Sequence, residues 1–423
     1  MQVRKTMKKI MSVLVALAPF LNNYAMPGLG INMGLCVIVA FVVCSFIQYP
    51  KIVKPFCSLG GDLVVRDVIL NTLFIYLFIC SFAAFLREDC DSSVFSNVLI
   101  TYTVLLPAVK RLRFNLLDKE MLLKTIEVVA VIGGIVICLQ YLFYYGVGYS
   151  DKWLWIPFES WTYVYSGNSA STAIMSGLFR PSGIFTEPSH YSIYASIALA
   201  YRLFQERRIT DKTGIFITIA SILSTSGMGI AFAAVIWVYY LFVCDVKIQN
   251  KIIILLFSVI VSAFAFAYLY RFEFFRLSLE RMFSTSGNLE NAYTGRLYTS
   301  YILDDLNLTQ RWLGMGYRNI PMQLNGLGES VGLYMVAIVE LQYCLGYVGT
   351  GLFLVLCFYL MIKAKGFNRL VIAMYIVRVF MAGVVNLPSL FFYAAVVSEL
   401  FFESKYVANN QTSYRVIKSN LVK

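Results

Sequence analysis

Within the stretch RPSGIFTEPSHYS, Arg180 to Ser192, an arginine, a glutamate and the chain's only histidine stand around two prolines at the head of an apolar run. Arg180 offers a guanidinium to an anionic group, and Glu187 offers a carboxylate that can orient a substrate or take a proton from a hydroxyl. His190 is a further candidate base; in the first turn of a helix it meets the positive end of the dipole, which disfavours its charged form. Each group also has a structural reading. Pro188 suits the first helical position and biases Glu187 away from helical dihedrals, so Glu187 falls at the cap, where a carboxylate can satisfy orphan amides. A lone histidine at an interface more often serves structure, and no second histidine exists to build a metal site, so zinc is not expected.

Other chemistry-bearing residues are more scattered. Arg378 falls near the middle of an apolar run, where a charge is costly and by default functional, unless it snorkels or pairs with Glu399. TGRLY and WLGMGYRN place Arg296 and Arg318 near glycines, although a single GxG says little about phosphate binding. RFEFFRLSLERMFS repeats Phe272, Phe275, Leu279 and Met282 or Phe283 at helical spacing, as in a helix lying in a membrane interface. Arg281 and its neighbours there would meet lipid headgroups or a lipid-linked diphosphate. STSGMG, Ser224 to Gly229, predicts a tight turn of small residues between two helices that approach closely.

The elements that must position these groups are membrane helices. Of 423 residues 59% are hydrophobic and 14% charged, against about 25% charged in a soluble domain, and the mean hydropathy is +0.71. Apolar runs of spanning length lie at 10–25, 31–49, 68–86, 94–109, 125–145, 190–204, 213–226, 229–245, 252–270, 345–362, 370–386 and 388–402. The fold class expected is therefore all-α: a single polytopic bundle over 1–423 with about twelve spans. The run 331–344 is short and interrupted, as in a half-helix at the membrane surface. MQVRKTMKKIMSVLVALAPF has the basic start and small-residue ALA pattern of a signal peptide, but Pro19 after that pattern favours a first span with its N-terminus in the cytoplasm. Most of the nine cysteines fall inside apolar runs without metal-ligand spacing and read as small core residues.

Lysine and arginine then orient the spans, with both termini and the tail 403–423 inside. That bias accounts for most of the +12 net charge as topology and leaves no need for nucleic acid as a partner. Two long loops remain outside, 146–189 and 271–330, and long ordered loops usually carry function. Every basic residue assigned to the outer face except Lys152 is arginine. A planar fork that binds phosphate bidentately is one reason for that choice; pairing with nearby carboxylates such as Glu280, Asp304 and Asp305 is the other.

In their order, RPSGIFTEPSHYS, STSGMG, TGRLY, WLGMGYRN and YMVAIVELQYCLGYVG resemble the bacterial O-antigen polymerase and ligase superfamily, and within it the Wzy-type polymerases. The resemblance covers the layout from about residue 94 onward. It implies a GT-C-like glycosyltransferase of the inner membrane that needs no metal or other cofactor. Such an enzyme transfers a growing glycan from undecaprenyl diphosphate to a new lipid-linked repeat unit at the periplasmic face. Donor and acceptor lipids, bulk membrane lipids, a chain-length regulator and a flippase are the partners implied. Family roles carry over to Arg180, Glu187, Arg296 and Arg318, with Arg281 and Arg378 as further diphosphate contacts. In the ligases a histidine precedes by three residues the tyrosine matching Tyr334; here Val331 stands there, which favours polymerase and leaves the base open among Glu187, His190 and Glu329. A ligase using another acceptor, or a flippase of lipid-linked oligosaccharides, are the rival readings.

Overall fold

The structure, a computed structural model, describes residues 2–22, 24–26, 31–48, 61–86, 92–148, 174–175, 178–206, 211–243, 302–304, 306–317, 336–381 and 387–401, with isolated positions at 249, 251, 267, 270, 271 and 276. The chain divides into two compact units. One comprises Met1–Ala18, Leu35–Leu122 and Leu297–Lys423; the other comprises Pro19–Gly34 and Leu123–Arg296.

The helices in chain order are α1 (Gln2–Leu21), α2 (Met33–Gln48), α3 (Gly61–Phe85), α4 (Ser92–Ile100), α5 (Leu106–Arg111), α6 (Lys119–Val147), α7 (Pro188–Glu206), α8 (Lys212–Leu223), α9 (Gly227–Val243), α10 (Leu308–Leu313), α11 (Ala337–Lys363), α12 (Gly366–Met381) and α13 (Leu387–Val396). Among the described residues the exceptions to an all-helical fold are a two-residue ladder, β1 (Ile174–Met175) with β2 (Leu178–Phe179), and an isolated bridge between Ala25 and Asn32. Among the described residues, three helical stretches are long and apolar enough to cross a membrane: Val65–Phe85, Lys119–Val147 and Ala337–Lys363. Met33–Gln48, Lys212–Leu223 and Gly227–Val243 are apolar but shorter. On α3 a row of large apolar side chains including Ile75, Phe78, Ile79 and Phe82 is exposed, a surface suited to hydrocarbon rather than water.

Local chemistry explains the ends and breaks. The apolar run expected at 94–109 is α4 and α5 joined by a π-turn at Thr101–Leu105. Pro107 cannot donate to the carbonyl four residues back and its ring crowds that carbonyl, which a wider turn relieves. Thr101 and Thr103 hydroxyls donate to the Asn97 and Leu99 carbonyls, each at 2.7 Å. Asp118 caps α6 by accepting from the Met121 amide, and Asp211 caps α8 by accepting from the Gly214 amide at 2.7 Å.

One expectation needs correction. The first helix runs Gln2–Leu21 rather than 10–25: Ala25 pairs with Asn32, and the Met26 amide donates to Ile31, so the chain has already turned. The run 331–344 is described from residue 336 onward: a short helix begins at Ala337 and breaks at Gly346, where φ is +62°, before α11 resumes toward Lys363.

In the first unit α11 packs against α3, α10 and α12. Two arginines of this unit are buried. Arg66 is buried, binding Asp67 at 2.7 Å and the Leu400 carbonyl at 2.7 Å, and Arg111 lies over the Phe46 ring while donating to the Ser45 carbonyl. Glu399 pairs with Lys119 at 2.6 Å and accepts from Asn368 at 3.1 Å, so the pairing of Glu399 with Arg378 is not formed.

In the second unit α7 is the central helix, with α8 and α9 against it. The turn between α8 and α9 is the one expected at STSGMG, with Thr225 at φ +54°. A side chain at Gly229 would meet the Ser192 side chain, so this small residue sets how closely α9 approaches α7.

Candidate functional site

The second unit presents Glu187 and His190 from a braced loop. β2 ends at Phe179, whose ring stacks on Tyr144 with centroids 4.1 Å apart and meets the edge of Tyr141. Half-buried Arg180 follows, then Pro181 and Ser182, both buried. At Gly183 φ is +64° and the backbone lies against Gly133 of α6, where a side chain would sit 2.6 Å from the Gly133 oxygen. Gln140, buried inside α6, clamps this point twice: its amide nitrogen donates to the Gly183 carbonyl at 3.2 Å and its oxygen accepts from the Gly183 amide at 3.0 Å. The Tyr24 hydroxyl donates to the Ile184 carbonyl at 2.7 Å, and buried Phe185 touches the rings of Phe20, Tyr191 and Tyr194.

The chain then enters α7 at Pro188, as its sequence predicts, with the Glu187 carbonyl accepting from the His190 and Tyr191 amides. The Glu187 carboxylate accepts from the Ser189 hydroxyl at 3.1 Å, and His190 Nδ1 is 3.3 Å from the Thr186 hydroxyl. Both side chains are exposed, whereas every residue from Tyr191 to Ala200 is buried. The arrangement brings together a carboxylate and an imidazole at the open end of a rigid helix, able to accept a proton from an approaching hydroxyl.

The glycines of WLGMGYRN have a different task. The Gly314 amide donates to Gln310, Met315 to Tyr343, Gly316 to Cys344, and Tyr317 to the Ser81 hydroxyl. The acceptors on Tyr343 and Cys344 are carbonyls beside the break of α11 at Gly346, where a side chain would collide with the Trp312 backbone. The Tyr76 hydroxyl seals the same corner, 3.0 Å from the Leu345 carbonyl and 3.2 Å from that of Leu313. These amides are committed within the protein, so the GxG is a docking joint between α10 and α11 and offers no phosphate cradle.

The remaining candidates divide plainly. Arg281, Arg296, Arg318 and Glu329 lie outside the described residues, as do the tail 403–423, the span 252–270 apart from isolated positions, and most of the two long loops. Arg378 belongs to the first unit, half-buried on α12, with its guanidinium 3.5 Å from the Ser389 hydroxyl and 5.8 Å from the Tyr393 ring centre. Arg311 follows the pairing alternative: it donates to the Leu306 and Asp304 carbonyls and lies 3.7 Å from the Asp304 carboxylate. Among the described residues no cluster of metal-ligating side chains occurs, and the described cysteines are free thiols.

Sequence reading passed over Gln140 and Glu340. Gln140 braces the loop; Glu340 is buried in the first turn of α11 and lines a mostly apolar cavity of about 170 Å³ in the first unit, together with Arg66, Leu70, Leu73, Leu345 and Phe353. Both carried a signal, a strongly polar side chain inside an apolar run. No family model matches the chain, and no curated protein and no solved structure matches it.

Proposed function

We propose that the protein is a polymerase of undecaprenyl-diphosphate-linked oligosaccharide repeat units, a GT-C-like glycosyltransferase of about twelve spans in the bacterial inner membrane with both termini inside. The observation that carries this reading is the exposed Glu187 and His190 pair on a loop held by Gln140, Gly183 and Tyr24, at the head of an otherwise buried helix. The resemblance of this segment to the polymerases and the arginine selection of the outer loops support it. So does the apolar cavity of the first unit, which suits hydrocarbon.

In the proposed reaction a base takes the proton of the acceptor hydroxyl while its oxygen bonds to the anomeric carbon of the donor. The bond from that carbon to the diphosphate oxygen breaks, and its electron pair leaves with the diphosphate. Arg180, with Arg296 and Arg318, stabilises the departing charge. A leaving group this good needs no general acid. Glu187 is the first choice of base: its carboxylate is exposed at the head of α7 and accepts from the Ser189 hydroxyl.

The test is product length. Protein in liposomes, given a synthetic undecaprenyl-diphosphate repeat unit as donor and acceptor, is expected to yield a ladder of integral repeats on a gel. Unextended substrate with folded protein would overturn the reading. Glu187→Gln keeps a hydrogen-bond acceptor but removes the base, and is expected to lower turnover about 10²- to 10⁴-fold. Near-normal turnover would move the role to His190 or Glu329.

One observation favours a flippase instead: the break in α11 at Gly346, because interrupted helices are common at transporter sites. The carbonyls of Tyr343 and Cys344 beside that break already accept amides from Met315 and Gly316, each at 2.9 Å, and so are poorly placed to bind a coupling cation. A translocation assay on the same liposomes separates the two.

A further inference from the structure

A groove lies between α6 and α8. The two helices touch at Gly134, where a side chain would meet Ala220 and Phe216 at 2.9 Å. Glu127 lies seven residues before Gly134 and Lys212 eight before Ala220, so each is about two turns from the crossing, toward the N-terminal ends of both helices. There the helices leave a groove of about 410 Å³ lined by Glu127, Val128, Ile132, Lys212, Thr213 and Phe216, a size within the ~300–1,000 Å³ typical of ligand sites.

Its polar end is unbalanced in a specific way. Glu127 is 6% exposed. Its Oε1 accepts from Lys124 at 2.8 Å and lies 3.7 Å from Arg202, whose guanidinium is committed to Asp211 at 2.6 and 3.1 Å. Oε2 is buried and has no hydrogen-bond partner among the described residues, a costly state for a carboxylate oxygen. Lys212 on the facing helix is exposed. Beyond them Val128 and Ile132 are each 46% exposed, forming an apolar wall toward the side where hydrocarbon would lie. The apolar runs of α6 and α8 begin at about 125 and 213, which puts both charged groups at headgroup depth.

One molecule meets all three demands: an anion for Lys212, a charged donor for Glu127 Oε2, and a hydrocarbon chain for the wall. We propose that this groove binds an ethanolamine-headed phospholipid, with its phosphate at Lys212 and the Thr213 hydroxyl, its ammonium at Glu127, and one acyl chain along Val128, Ile132 and Phe216. A choline headgroup has no hydrogen to donate, and a glycerol headgroup donates only a neutral hydroxyl, which is the weaker bond to a carboxylate.

The full chain is placed in nanodiscs holding equal parts of ethanolamine, choline and glycerol phospholipids with identical acyl chains, then released and weighed by native mass spectrometry. One retained ethanolamine lipid is expected, in roughly ten-fold excess over choline lipid, the worth of one charge-assisted hydrogen bond. Glu127→Gln is expected to bring the two lipids near parity. Val128→Trp fills the wall at an exposed position that does not bear on folding, and is expected to abolish retention even where Glu127→Gln folds poorly. Equal retention of the three lipids, preference for the glycerol lipid, no retained lipid, or retention unchanged in Val128→Trp would overturn the proposal.

Discussion

Replacing Gly183 with alanine is expected to destabilise the protein by at least about 3 kcal/mol and to remove activity with it. Two costs combine. At φ +64° any residue with a side chain is strained, by about 1–3 kcal/mol. The added carbon would also sit 2.6 Å from the backbone oxygen of Gly133, which cannot swing aside as a flexible side chain would. Moving Gly183 away from α6 breaks both hydrogen bonds to Gln140 and leaves a buried amide side chain unsatisfied. The loop that holds Thr186, Glu187 and His190 then loses its anchor. Thermal inactivation of purified protein measures the effect, with Gly351→Ala as the control, since nothing lies within 4 Å of that position. Equal half-lives for Gly183→Ala and wild type would show that the loop is not held as described.

If the protein polymerises repeat units as proposed, Arg180→Ala is expected to lower polymer formation about 10²- to 10³-fold, the usual loss when a donor aimed at developing charge is removed. The protein should remain inserted, because Pro181 to Gly183 are buried and Gly183 packs on Gly133 of α6. Lysine is the informative substitution. An ammonium restores the charge but not the planar fork, so Arg180→Lys should recover less than about a tenth of the wild-type rate if two parallel hydrogen bonds to phosphate are needed. Full recovery would reduce the role to simple charge, and wild-type turnover in Arg180→Ala would remove it from the site. The two variants also separate chemistry from architecture: Gly183→Ala lowers stability and rate together, whereas Arg180→Ala lowers rate alone.

The glycine motifs show how the same letters carry different information. Gly229 read as a close-approach residue because small residues between apolar runs have that consequence wherever they occur, and the approach to Ser192 is there. The GxG at Gly314 and Gly316 is in sequence a weak phosphate signal, yet the amides of Met315 and Gly316 are taken by carbonyls of Tyr343 and Cys344, some thirty residues further along, and that of Gly314 by Gln310. No local pattern announces such a partner. The arginines divide in the same way: Arg311 is committed to backbone and carboxylate nearby, a pairing that Asp304 suggested, while the partner of Glu399 is Lys119 rather than Arg378.

The amino-acid sequence by itself determined the helical class, most of the apolar segments, the start of α7 at Pro188 and the turn after α8, because burial in hydrocarbon and proline and glycine geometry act over a few residues at a time. The tertiary structure alone decided that Gln140 clamps Gly183, that α11 breaks at Gly346 against α10, and that Glu127 and Lys212 share one groove. Each of these depends on which helices touch, and a hydrogen bond or a close glycine contact between residues far apart in the chain leaves no trace in local composition.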